Sequence, residues 1–339
     1  MTDSSSSNSS SDLTIEVDQL VKKYAGVTAV NEVSFHARRG EIIGFLGPNG
    51  AGKSTTMRIL SGFIPATSGS ARVAGYSVAT QSDQVHRRLG YMPENNPLPE
   101  DLRVREYLRF RAQIKGLRGA TLRRRMNEVM ERCDLVRAQR RMIGTLSKGF
   151  RQRVGIAEAI IAEPEVLIMD EPTIGLDPHQ IVMIRDLILS LKGQMTILIS
   201  SHILPEIEMT CDRVMIINAG RIVAADSPRN LRLEFVPGIR YLAEWAGDLM
   251  QLESILKENA PGLQLEVKSD DPNNPSEFHD LILTTDKEKE IGEDLVRHLT
   301  CRNDFRLRSL HRQTATLEEV FMAATRRSWD VVMTSPSPN

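Results

Sequence analysis

No apolar run in this sequence approaches the roughly 20 residues that a membrane-spanning helix needs, which excludes a channel built from this chain alone. Cysteine is equally sparse. Cys133, Cys211 and Cys301 are scattered and odd in number, which argues against a disulfide framework or a thiolate metal cluster and suits a reducing cytoplasm. Neither sign of charge is in excess: 43 Lys and Arg face 44 Asp and Glu, for a net charge of −1. Wholesale nucleic-acid binding usually leaves a basic surplus, so no nucleic-acid partner is expected. Residues 1–11 are Ser-rich with no apolar centre and read as a disordered tail, not a secretory signal. What remains is ordinary for globular protein, at 41% hydrophobic and 26% charged, and 339 residues are enough for two domains.

What is present is a phosphate loop. Gly47-Pro48-Asn49-Gly50-Ala51-Gly52-Lys53-Ser54 fits the pattern G-x-x-x-x-G-K-[ST]. The apolar run Glu41 to Leu46 before it reads as a buried strand, and Ser54 to Leu60 after it carries helical spacing. The loop's amides then sit at a helix N-terminus, where unpaired N–H groups and the dipole favour an anion, and its glycines let the backbone close around phosphates. Lys53 is expected to reach the β- and γ-phosphates of ATP and Ser54 to ligate Mg²⁺, with Thr55 beside them in the nucleotide-binding set. Val166 to Met169 reads as a second buried strand that ends in Asp170, a further Mg²⁺ ligand. Glu171 follows at once, placed to take a proton from an attacking water as general base. His202 stands just past a third apolar strand, Met195 to Ser200, and reads as a contact to the γ-phosphate; the alternative is a structural histidine.

Leu146-Ser147-Lys148-Gly149-Phe150 has no obvious chemistry within its own subunit. With the phosphate loop before it and Val166 to Glu171 and Ser201-His202 after it, the set resembles the nucleotide-binding subunit of ATP-binding cassette (ABC) transporters, over roughly residues 13–228. The resemblance implies that Ser147 and Gly149 contact the γ-phosphate bound to a second copy of the chain. It implies that Tyr24 stacks on adenine, that Asp177 in Thr173 to Pro178 crosses the dimer interface, and that Glu94 contacts Mg²⁺ where the family usually has Gln. Lys148 and Phe150 depart from the commoner Gly and Gln of the signature; Lys148 either adds charge near the partner's triphosphate or faces solvent. These departures resemble the branch serving ABC-2-type exporters, including gliding-associated and multidrug types. The implied partners are a second copy of the chain and a separate transmembrane permease, with the protein peripheral at the cytoplasmic face of the membrane. A single cassette argues against the alternative, a non-transport ABC ATPase acting on ribosomes or nucleic acid.

The resulting expectation for the fold is α/β: a P-loop ABC cassette over residues 12–230 with a parallel-sheet core, an antiparallel β subdomain and a helical subdomain at about 100–145. In that helical stretch the many arginines, among them Arg111, Arg123, Arg124 and Arg125, read either as a solvated face or as a docking face. Phe110, Ile114 and Leu117 share a helix face and read as core. After Pro228 the order β-α-β-β-α-β suggests a small α+β ferredoxin-like accessory domain over 235–327, with Asp270 to Pro275 as a hairpin loop. Thr316 and Glu319 form a capping box for a closing helix, and 328–339 read as a flexible tail.

Overall fold

Alternating apolar residues near the start of the chain form two long antiparallel strands, β1 (Leu13–Tyr24) and β2 (Val27–Arg38), paired from Leu13 opposite Arg38 to Tyr24 opposite Val27. The computed structural model describes residues 12–260, 262–268, 278–285 and 291–334. Next come β3 (Ile42–Leu46), the phosphate loop, α1 (Lys53–Leu60), β4 (Ser68–Val73), β5 (Tyr76–Ser77), α2 (Ser82–Arg88) and β6 (Leu89–Met92). A helical stretch holds α3 (Val104–Ile114), α4 (Gly119–Arg132) and α5 (Lys148–Ile160). The chain then returns to the sheet through β7 (Val166–Asp170), α6 (Pro178–Leu191), β8 (Thr196–Ser200), α7 (Leu204–Thr210), β9 (Arg213–Asn218) and β10 (Arg221–Asp226).

Two sheets result. One is antiparallel, in the order β2-β1-β4-β5; the other runs β10-β9-β3-β8-β7-β6, parallel throughout except for β10 at its edge. β3, β7 and β8 are buried along their whole lengths, as continuous apolar runs in a parallel sheet should be. Phe35 of β2 meets Phe45 of β3 at 5.9 Å between ring centroids, within a core that also takes in Met57, Leu60, Val73 and Ile168. Because β3, β8 and β7 are adjacent and parallel, their C-terminal ends bring the phosphate loop, Ser201-His202 and Asp170-Glu171 to one edge.

The helical stretch corrects two expectations. Phe110 and Ile114 are 53% and 60% exposed, and the buried stripe of α3 is Val104, Tyr107, Leu108 and Ala112. That set has the same i, i+3, i+4 spacing, and the neighbouring helices select it. The arginines are not one solvated face either: Arg111 pairs with Glu158 of α5, and Arg125 is 6% exposed.

Residues 229–323 form a separate compact unit. Its elements are β11 (Ile239–Ala246), α9 (Leu249–Asn259), β12 (Leu263–Val267), β13 (His279–Thr285), α10 (Gly292–Leu299) and β14 (Arg306–Gln313), with α8 (Pro228–Phe235) before them. The sheet order β12-β13-β11-β14, antiparallel at every pairing, is the ferredoxin-like arrangement read from the sequence. Its core centres on Trp245, fully buried, whose indole N–H donates to Leu299 O at 2.9 Å and whose ring meets Phe305 edge-on at 4.8 Å. The capping box is reciprocal: Glu319 N–H donates to Thr316 Oγ1 at 3.3 Å and Thr316 N–H to Glu319 Oε2 at 3.0 Å. The helix it opens, α11 (Leu317–Thr334), runs past residue 327, where a flexible tail was expected. The sequence offers it no Gly or Pro until Pro336. The Ser-rich residues 1–11, the Asp270 to Pro275 loop and residues 335–339 lie outside the described residues. No helix among the described residues is long and apolar enough to cross a membrane.

Candidate functional site

The phosphate loop is shaped by two glycines that admit no side chain. Gly52 caps the N-terminus of α1 with φ +104°, and a Cβ there would lie 2.3 Å from Ala29 O. A Cβ on Gly47 would lie 2.4 Å from Ile217 O. The loop is thus pressed against β2 and β9 while α1 points its free amides outward from Gly52. Lys53 folds back, donating from Nζ to Gly47 O at 2.7 Å and to Pro48 O at 3.3 Å. Burial pulls its ammonium below the usual lysine range, while Glu171, Asp170 and Glu94 push it back up.

A cavity of about 530 Å³ opens over this loop, lined by Asn49 to Thr55 together with Ala29, Glu94, Glu171, Ile174 and His202. Loop, base candidate, histidine and Glu94 therefore share one space. Asp170 is buried at the end of β7, where Ser200 Oγ donates to its Oδ1 at 2.6 Å. Glu171 turns the chain sharply with φ +50°, and its Oε2 lies 2.6 Å from His202 Nδ1. The bond joins base candidate and imidazole directly. Burial also raises the carboxyl of Glu206 on α7, with Glu171 adding to the shift and Thr173 and His202 opposing it.

Mg²⁺ fits the donors at hand. Ser54, Glu94 and Asp170 offer only oxygen, the hard-cation choice. Among the described residues no three His, Cys, Asp or Glu side chains converge as a protein-built metal cage. Mg²⁺ is commonly held by one or two carboxylates with phosphate and water completing its shell.

The remaining residues singled out in the sequence lie outside the cavity. Tyr24 ends β1 at 47% exposure, opposite Val27 and under the Lys22 ammonium, 5.1 Å from its ring centroid. Ser147 precedes α5 exposed, and Gly149 in its first turn is buried so closely that a Cβ would meet Gln180 Oε1 at 2.4 Å. Asp177 caps α6, accepting from Gln180 N–H at 2.9 Å, with Pro178 in the first turn. The Lys148 ammonium lies over Gly175, 2.5 Å from where a Cβ would stand, so it faces its own subunit's loop. Signature segment and Asp177 loop thus form a second cluster. The Arg153 guanidinium covers Phe150 at 4.2 Å.

Two contributors escaped the sequence reading. Ser200 was visible only as the end of an apolar strand, and its register with Asp170 is a property of the sheet. Asn96 donates from Nδ2 to Arg151 O at 3.0 Å and fills the space over Gly155, tying the loop after Glu94 to α5. Its place just after Glu94, between Pro93 and Pro97, was the available signal.

Comparison with known proteins bears on this geometry. The ABC transporter family matches residues 30–174. The linearmycin resistance ATP-binding protein LnrL of Bacillus subtilis is 31% identical over 318 residues, spanning 93% of this chain and 99% of that protein. The Nod factor export ATP-binding protein I of Ralstonia nicotianae is 33% identical, spanning 92% and 94%. ATP-binding cassette sub-family A member 2 of Homo sapiens is 36% identical over 230 residues, but the chain spans only 9% of its length. A solved structure described as the ATP-binding subunit of an ABC transporter superposes with a TM-score of 0.61 at 34% identity, covering 66% of this chain and 93% of that one. A dimeric cassette, MJ0796 with ADP and Pi, gives 0.58 at 23% identity, a likeness of fold, over 63% and 98%. With its phosphate loop, parallel-sheet edge and full-length relatives in agreement, this chain belongs to the ATP-hydrolysing, ATP-binding subunits of the ABC transporter family.

Proposed function

We propose that the protein is the motor of an exporter: two copies close on two ATP molecules at the cytoplasmic face of a membrane and drive a separate transmembrane permease. The observation that carries this is the separation of the chemistry into two clusters on one chain. Phosphate loop, Glu94, Glu171 and His202 share the 530 Å³ cavity, whereas Gly149 and Asp177 meet at Gln180 and, like Ser147, line no part of it. A second copy arranged face to face supplies the missing half. Export is favoured by relatives matched over nearly their whole length, one named for linearmycin resistance and one for Nod factor export.

In this reading Lys53 leaves the carbonyls of Gly47 and Pro48 for the β- and γ-phosphates, and α1 presents its N-terminal amides to them. Ser54, Asp170 and Glu94 would hold Mg²⁺, which would supply charge neutralisation on the phosphates. Water attacks the γ-phosphorus, Glu171 takes its proton, and the bond to the ADP oxygen breaks. His202, bonded to Glu171 through Nδ1, fixes that carboxylate's direction. Tyr24 stacks on adenine after movement of the partly exposed β1 end. ATP binds the closed pair better than the open one, and that differential affinity is what moves the permease.

The test is Mg²⁺-dependent ATP hydrolysis by the purified protein and by Lys53→Ala. Hydrolysis is expected to disappear in the variant. Equal rates in both would remove the catalytic assignment. Copurification of a polytopic membrane protein after gentle detergent extraction tests the permease.

A further inference from the structure

β8 runs between the strand that feeds the phosphate loop and the strand that ends in Asp170. Its last residue, Ser200, is fully buried, paired with Phe45 of β3 on one side and Asp170 of β7 on the other. The hydroxyl makes two bonds there. Oγ donates to Asp170 Oδ1 at 2.6 Å and accepts from Glu171 N–H at 2.9 Å. An amide can only donate and an ionised carboxylate only accept, so the hydroxyl proton has one place to go. The two bonds straddle the turn at Glu171, whose φ of +50° lies in the left-handed region that a non-glycine residue seldom enters.

We infer that Ser200 is a positioning residue for ATP hydrolysis: its single hydroxyl fixes the rotation of the Asp170 carboxylate and the backbone that aims Glu171. Engagement of Oδ1 settles how Asp170 meets a cation, and the held amide settles from where Oε2 meets His202 Nδ1. An alanine here leaves both a buried carboxylate oxygen and a buried amide without this partner. Threonine keeps the hydroxyl. The inference rests on the proposed roles of Asp170 and Glu171.

The experiment compares the full chain with Ser200→Ala, Ser200→Thr and Lys53→Ala. Three readouts are taken: binding of a fluorescent ATP analogue in EDTA, the same binding across a Mg²⁺ titration, and steady-state hydrolysis. Ser200→Ala is expected to bind within about twofold of the parent in EDTA. Its Mg²⁺ half-saturation should rise about tenfold and its kcat fall about tenfold to a hundredfold, with KM for ATP little changed. Ser200→Thr should recover most of both losses. A Mg²⁺ titration and kcat like the parent's in Ser200→Ala would overturn the inference, as would equal losses with and without the metal. Should Ser200→Ala not fold, Ser200→Cys, whose thiol is somewhat larger and donates only weakly, is read by the same criteria. If the parent is no faster than Lys53→Ala, the reading of the whole site fails; if the parent is active and only the serine series is flat, this inference alone fails.

Discussion

Arg125 gives the sharpest test of how the helical stretch is held. It is 6% exposed on α4, and its guanidinium donates from Nε to Ile161 O at 3.2 Å and from Nη2 to Ile160 O at 3.0 Å. Ile160 is the last residue of α5, so a cation satisfies carbonyls that the helix itself leaves unpaired, on the end where the dipole favours it. Nη1 also meets Glu128 at 2.7 Å and Glu163 at 3.0 Å, but those carboxylates are 38% and 61% exposed and regain water when the partner is removed. In Arg125→Met the stem is kept and the fork is lost. Two buried bonds from a charged donor contribute about 1.5–3 kcal/mol each, and the thioether returns about 1 kcal/mol of apolar burial, so the expected loss is about 3 kcal/mol. Denaturant unfolding followed by circular dichroism reads it. Nucleotide affinity in EDTA should be unchanged, because Arg125 lines no part of the phosphate cavity. A loss under about 1 kcal/mol, or an Arg125→Lys variant as stable as the parent, would refute the reasoning, since lysine cannot serve both carbonyls with a planar fork.

Glu171→Gln should hydrolyse ATP at least about a hundredfold more slowly and accumulate an ATP-bound dimer on size exclusion; a strict monomer at saturating ATP would count against shared sites. Gly52→Ala combines a φ of +104° with a Cβ only 2.3 Å from Ala29 O, and is expected to weaken ATP binding at least about tenfold. Affinity near the parent's, measured by equilibrium dialysis, would mean the loop has room to shift. In the C-terminal unit, Trp245→Phe removes the bond to Leu299 O and part of the contact with Phe305, for a loss of about 2 kcal/mol. Thermal melting of the full chain checks it, and a change below about 0.5 kcal/mol would show that the indole N–H matters little there.

Much of this was legible because it is local. Apolar runs of five or six residues bounded by turns declared β3, β7 and β8, and the motifs at their ends declared what the edge of the sheet would hold. The alternation after Pro228 and the Thr316/Glu319 pair likewise work within a few residues. The failures share a different cause. Arg123, Arg124 and Arg125 are indistinguishable as letters, and only the carbonyls at the end of α5 choose the third. Phe110 and Ile114 have core spacing, yet Tyr107, Leu108 and Ala112 have it too, and the packing partners decide. Ser200 looks like filler in an apolar strand until the ladder sets it opposite Asp170.

The contact between Gly149 and Gln180 carries a consequence for how this protein tolerates change. Gln180 is touched from two sides: its amide N–H is the donor that Asp177 caps, and its side chain occupies the space where a Cβ on residue 149 would fall. A methyl group added at Gly149 therefore has to turn aside the far end of that flexible side chain, which can swing away without moving the helix backbone. The signature segment can thus absorb a methyl at the expense of the Gln180 side chain, while the Asp177 cap, which uses only the Gln180 amide, stays in place.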